Sequence, residues 1–267
     1  MDWSISSRAT IRRFFHTGFT AADIAEYLIS YDANQPADAV RRRMEEHDFD
    51  VVGLRDDGFV VGYVCREDLV AGPCSDHLRY FGSDQVTAAE APLRETLIRL
   101  GEQPFLFVTS LGAVGGIITR ADLQKPSVRM WLFGLITLIE HALGVMIRAR
   151  YPEDSWRQHL SETRVQRAER FQAERQRRNE SLDLVSCLAL ADKGQLLFKD
   201  AEVRAQLGME SRSAAKEAVS NMEQLRNSLA HAHDIVSGSW QTIVNLSGRV
   251  DTVLGLYEAS AWGGDAT

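Results

Sequence analysis

Proline vanishes from the chain after Pro152, although six occur up to that point. Because proline breaks helices, its loss leaves the second part free for long helical segments. Cysteine is scarce: Cys65, Cys74 and Cys187 form an odd, scattered set. That spacing suits neither a zinc site nor a disulfide framework, and implies buried, reduced thiols. Positive charge is short too, with 30 Lys+Arg against 37 Asp+Glu and a net charge of −7. This excludes a surface coated in basic residues for duplex DNA, while leaving room for a local basic patch. Apolar runs are short. The N-terminus, MDWSISSRATIRRFF, has no apolar core or cleavage site of a secretory signal. The stretch from Trp131 to Val145 carries Glu140 and His141 and falls short of the ~20 apolar residues a bilayer needs. The expectation is a cytoplasmic protein with no membrane partner and no metal site.

What is present is an ordinary globular composition, 45% hydrophobic and 25% charged over 267 residues, which favours two domains. The boundary is placed in Leu123-Gln124-Lys125-Pro126-Ser127, where a proline can open the next helix, giving domains 1–126 and 127–267.

The first domain contains an internal repeat. Residues 62–68 read G-Y-V-C-R-E-D and residues 116–122 read G-I-I-T-R-A-D, each followed by leucine, at an offset of 54 residues. Strands are expected at Asp50–Leu54 and Phe59–Cys65 around the turn Asp57-Gly58. Their counterparts are Phe105–Thr109 and Ala113–Thr119 around Ser110-Leu111-Gly112. Helical patterns precede the copies at Pro36–His47 and Pro92–Gly101. Each unit therefore runs helix, strand, strand, then a helix opening at the aspartate.

This pattern resembles a tandem pair of CBS domains over roughly residues 20–125. The resemblance implies an α/β disc whose cleft binds an adenosine nucleotide such as AMP or ATP as a regulatory ligand. Thr119 and Asp122 look like that family's T-x-x-D motif, in which the carboxylate accepts hydrogen bonds from the ribose hydroxyls and the threonine reaches sugar or phosphate. The plainer alternative is that Asp122 only caps a helix. Cys65 stands in the hydroxyl position of the first copy and is a poor hydrogen-bonding partner, so Asp68 is expected to mark a weaker or empty site. Arg66 and Arg120 occupy equivalent positions and are candidates to meet phosphate, against the default of solvated surface arginine.

The second domain is expected to be all-α, making the whole chain α+β. Helices are placed at about Val128–Arg150, Ser155–Arg178, Leu182–Ala191, from Ser211 or Ser213 to His231–His233, and Ser239–Ala261. The fourth ends in Arg226-Asn227-Ser228-Leu229-Ala230-His231. That string, with Glu140 on a long first helix, resembles the R-x4-H motif of HEPN domains over roughly residues 127–262. The resemblance implies a metal-independent endoribonuclease with no catalytic cofactor, acting on RNA as a homodimer by 2′-OH transesterification. Arg226 would hold the phosphate, His231 would move the proton and Asn227 would orient either one. Arg226 and His231 lie about 140° apart around a straight helix, so a shared dimeric cleft is expected to complete the site. The alternatives are that Arg226 packs or forms a salt bridge, and that His231 and His233 favour the negative helix end. Every cation from 148 to 178 is arginine, interleaved with Glu162, Glu169 and Glu174, which reads as a solvated helix or as an RNA contact.

Two functions follow. One is an endoribonuclease regulated by an adenosine nucleotide, suited by family analogy to a toxin or antiviral defence role. The other is a non-enzymatic adenine-nucleotide sensor whose helical domain dimerises or holds a partner.

Overall fold

The computed structural model describes residues 3–231 and 233–262, which fall into two compact units. Residues 16–127 form one, and residues 1–15 join 128–267 in the other. The chain opens with helix α1 (Trp3–Thr17). The repeat unit ends at Ser127, and the described residues before His16 group with the helices rather than with the repeat. Phe15 explains why: it is buried, stacks edge-on to Trp131, and its carbonyl accepts the Trp131 indole N–H at 3.2 Å.

The repeat unit holds strands β1 (Glu26–Tyr27) and β2 (Ser30–Asp32), helix α2 (Ala37–Glu46), and strands β3 (Val51–Asp56) and β4 (Phe59–Cys65). Strand β5 (Val86–Ala88), helix α3 (Leu93–Glu102), and strands β6 (Phe105–Ser110) and β7 (Ala113–Thr119) follow. The two sheets are β2-β3-β4 and β1-β7-β6-β5. In each copy the first strand runs parallel to the second, which turns back antiparallel on the third. Both hairpins carry a register shift at the same repeat position, Leu54/Arg55 and Val108/Thr109. Both turn through two left-handed residues, Asp57-Gly58 and Leu111-Gly112, as a twisted two-residue hairpin requires.

The copies exchange strands. Before the first copy, β1 crosses to pair with β7 of the second, Glu26 opposite Ile117. Before the second copy, Arg79 pairs with Tyr63 on β4 of the first, each N–H reaching the other's carbonyl at 2.9 Å. The helices are tied in the same crossed way: Ala37 N–H donates to Gly72 O and Leu93 N–H to Phe19 O. The repeated glycine makes this possible. A Cβ on Gly62 would stand 2.4 Å from Arg79 O, and one on Gly116 3.2 Å from Glu26 O. Each thus lies where the exchanged segment runs close against its strand. Ala37, Val40 and Met44 of α2 bury against Val52, Leu54 and Val64, and Tyr63 and Phe107 meet ring to ring at 4.8 Å where the two sheets adjoin.

The helical unit contains α4 (Pro126–Arg150), α5 (Glu162–Arg177), α6 (Leu190–Leu197), α7 (Ala201–Gln206), α8 (Arg212–Ala230), α9 (Trp240–Gly248) and α10 (Val250–Trp262). Helix α4 is longer than the apolar stretch read from sequence and is long and apolar enough to cross a membrane, as the core helix of a folded unit can also be; half of its most apolar window is buried in the fold. Leu132, Leu135, Ile136, Ile139 and Leu143 face the core as the periodicity required, with Trp131 and Ile147 added. Two expected helices shift. The one placed at Ser155 begins at Glu162, because Pro152 opens a 3-10 segment that turns through left-handed Glu153 and Asp154. The one placed at Leu182–Ala191 is a short 3-10 turn, Val185–Cys187, and the helix comes after it as α6.

Candidate functional site

The cleft in the repeat unit measures about 1100 Å³ and is lined by β1, the end of β7 and the turn after β4. Thr119 and Asp122 lie on its wall. Thr119 is the N-cap of the 3-10 turn Arg120–Gln124. Its backbone N–H donates to Asp122 Oδ2 at 2.7 Å and its hydroxyl donates to the same oxygen at 3.1 Å, a capping box. The other oxygen, Oδ1, faces the Lys125 ammonium at 3.1 Å, which also meets Glu26 at 2.5 Å and donates to Ile24 O at 2.7 Å. Burial works against the Lys125 charge, but the bonds to Glu26 and Asp122 outweigh it and raise its pKa. Asp122 is thus an N3 residue, already held by its own turn and by a lysine.

The sequence carries the same box elsewhere. Thr20 N–H and hydroxyl reach Asp23 Oδ2 at 2.7 and 3.1 Å, with identical chemistry. A T-x-x-D string is therefore sufficient to cap a 3-10 turn in this fold. What separates Asp122 from Asp23 is its placement beside the cleft, its burial and its contact with Lys125.

Apolar groups are also available there. Tyr27 is 90% exposed and Ile29 43% exposed along the β1–β2 edge, an open face against which a planar base can lie. The electrostatics are less favourable to polyphosphate. Glu26, Glu45, Asp48, Asp50 and Glu67 line the cleft with Asp122, against Arg41, Arg66 and Arg120. Arg66, a candidate for phosphate, is instead paired with Asp50 at 2.5 Å and Asp48 at 3.4 Å. Cys65, at the position of Thr119, is buried, and burial pushes its thiol pKa up, keeping it a neutral, weak partner.

Asp68 lies apart from the lining of this cleft. Its carboxylate is held by Arg79, at 2.7 Å, on the exchanged strand segment. The first copy's aspartate is a link between repeats.

In the helical unit, Arg226 donates to Glu140 Oε1 at 2.7 Å, joining α8 to α4. Asn227 and His231 are one turn apart at the end of α8, where His231 is the C-cap and its N–H donates to Asn227 O at 3.1 Å. The His231 ring lies 5.9 Å from that of His233. Among the described residues no hydrogen bond joins Arg226 to His231 within one chain. Sequence reading missed Arg129, whose guanidinium reaches Ser228 O, Leu229 O and His233 O at 2.7, 2.9 and 3.0 Å and so closes the end of α8. It also missed Lys193, 5% exposed beside Glu140, whose pKa is lowered chiefly by burial.

The arginines of α5 are mostly committed. Arg164 and Arg167 converge on Asp192, which is 1% exposed, at 2.6 and 2.7 Å. Arg175 and Arg178 pair with Glu180 and Glu174. The interleaved acids explain only part of this, since Asp192 lies on another helix.

No protein-family model matches the chain, and no curated protein matches it. Solved structures of CBS-domain proteins are similar over part of it. CBSX2 in complex with AMP is 18% identical with a TM-score of 0.38, covering 42% of this chain and 98% of its own. CBSX2 from Arabidopsis thaliana is 20% identical with a TM-score of 0.37, covering 42% and 96%. An uncharacterized conserved protein from Pyrococcus horikoshii is 20% identical with a TM-score of 0.36, covering 40% and 90%.

Proposed function

We propose that residues 16–127 are a CBS-type sensing module for an adenosine nucleotide, and that the helical unit transmits or executes the response. The observation carrying this reading is the cleft lined by Thr119 and Asp122 together with exposed Tyr27 and Ile29, built by two strand-exchanging copies. A ribose at Asp122 would compete with Lys125 for Oδ1, and the base would cover the apolar edge. The acidic wall favours ligands with few phosphate charges, so AMP is expected to bind more tightly than ATP without a divalent cation. Isothermal calorimetry with AMP and ATP tests this, and absence of binding to either would refute it.

A second reading is favoured by the Arg226–Glu140 pair, which fixes a guanidinium next to Asn227 near the end of α8. In it the helical unit is a metal-independent endoribonuclease working as a homodimer. As the 2′-oxygen bonds to phosphorus and the P–O5′ bond breaks, Arg226 stabilises the charge developing on the phosphoryl oxygens and His231 takes the proton from the 2′-oxygen and returns one to the leaving 5′-oxygen. Two copies of α8 related by a two-fold axis would supply the second set of groups that one chain does not bring together. Incubation of the protein with mixed RNA and EDTA, beside His231→Ala, tests it. Cleavage lost in the variant supports the enzyme, and equal cleavage in both leaves the sensor.

A further inference from the structure

We infer that the groove between α5, α6 and α8 binds the phosphates of a single-stranded nucleic acid. The groove holds about 470 Å³ and is lined by Arg164, Lys199, Arg212 and Lys216, with Ser220 and Glu223. Four cations face one acid in a chain whose net charge is −7.

The state of these cations matters more than their number. Arg164 is tied to buried Asp192, and Arg212 donates to Lys199 O at 3.0 Å. Lys199 and Lys216 have no acidic partner among the described residues. The acid beside Lys199 in sequence, Asp200, is engaged by Arg150 at 2.7 Å and by Glu202 N–H at 2.8 Å. Glu223, the groove's acid, accepts Ala191 N–H at 2.9 Å. Lys199, Lys216 and Arg212 thus outnumber Glu223 on the groove side and leave a net positive charge there, in a helical unit where Arg148, Arg157, Arg175, Arg178 and Arg226 are all paired.

The arrangement is linear. Arg212, Lys216, Ser220, Glu223 and Asn227 recur at intervals of four, four, three and four along α8, which places them on one face. Arg212 and Lys216 are about 6 Å apart along the axis at 1.5 Å per residue. The stripe then passes from the two cations to the Ser220 hydroxyl, the Glu223 carboxylate and the Asn227 amide, so phosphate is favoured at the Arg212–Lys216 end, and one further turn brings His231. Repeated cations in a row match a chain of repeated phosphates, and hydroxyl and amide groups match sugar or phosphate oxygens. A small groove between helices suits a single strand, and the net negative charge opposes a duplex.

The site stands on the groove and does not require cleavage, so its test is a binding measurement. Full-length His231→Ala protein in EDTA is titrated into a fluorescein-labelled dodecauridylate between 50 and 200 mM salt, by anisotropy. The same titration is run with Lys199→Gln/Lys216→Gln added, and with Arg42→Gln as an exposed control on the repeat unit. Both lysines are exposed, and circular dichroism confirms that each variant is folded. The expected result is salt-dependent binding whose log–log slope falls by about 1.4 in the double lysine variant, two phosphates at roughly 0.7 each, and is unchanged in the control. No binding by the parent, an unchanged slope in the lysine variant, or tighter binding of polyglutamate than of the oligonucleotide would overturn the assignment. Absence of cleavage by the protein with His231 intact, with oligonucleotide binding retained, would count against the ribonuclease alone.

Discussion

Arg226 and Glu140 meet at 2.7 Å, and this contact joins the motif at the end of α8 to the long helix α4. The pair is partly exposed, at 40% and 23% of the side chains, so screening limits its contribution to stability. Glu140→Gln and Arg226→Gln are each expected to cost about 1 kcal/mol or less, with a coupling near 0.5 kcal/mol in a double-mutant cycle by urea unfolding. If the ribonuclease reading holds, Arg226→Gln abolishes cleavage despite that small cost, while Glu140→Gln changes cleavage less.

The exchanged strands make an asymmetric prediction for the two repeated glycines. A methyl group on Gly62 would collide with the Arg79 carbonyl at 2.4 Å, whereas on Gly116 it meets Val108 and Glu26 at 3.1 and 3.2 Å. Gly62→Ala is expected to destabilise the repeat unit by roughly 2–3 kcal/mol and Gly116→Ala by about 1 kcal/mol. Thermal melting of the two variants checks the order, and equal midpoints would show that the strand at Arg79 yields freely.

Lys193 makes stability depend on alkaline pH. Burial lowers its pKa below the usual 10.5, with Glu140 opposing and Arg148 and Arg226 assisting. Between the lowered folded value and 10.5 the unfolded chain binds more protons, so stability rises with pH across that window. Lys193→Met should remove this rise and be neutral or stabilising near pH 7, because a buried charge is replaced by an apolar side chain of similar length. Urea midpoints of both proteins from pH 7 to 10 measure it, and parallel profiles would contradict it.

Much of the fold was legible because it rests on local signals. Asp57-Gly58 and the alternating residues around it specify the first hairpin, and the 54-residue offset carried the reading to the second, even though Leu111 is an unusual residue for a left-handed turn. Strands of two or three residues, β1, β2 and β5, were not legible, since their order depends on pairing with distant chain rather than on pattern. The N-terminal helix was hidden for a similar reason: its partner, Trp131, lies 116 residues away. At the cleft the sequence picked out Thr119 and Asp122, but it gave no sign that Lys125 and Glu26 share the carboxylate's surroundings. In the helical unit the Arg226-Asn227-His231 spacing was visible, while Arg129 and Asp192, which fix the neighbouring elements, act through contacts across the bundle.

The two T-x-x-D boxes provide a matched control for the central claim, that the cleft beside Asp122 is the nucleotide site. Asp122→Ala and Asp23→Ala each remove a carboxylate with the same two bonds to its threonine, which should cost about 1 kcal/mol of stability in each, and Asp122→Ala loses the Lys125 contact in addition. Asp68→Ala removes a carboxylate held by Arg79, away from the cleft lining. Calorimetric titration of AMP into the parent and the three variants then separates ligand contact from capping. Asp122→Ala is expected to weaken AMP binding at least tenfold, while Asp23→Ala and Asp68→Ala stay within about twofold of the parent. Equal losses in the Asp122 and Asp23 variants, or full affinity in Asp122→Ala, would contradict it.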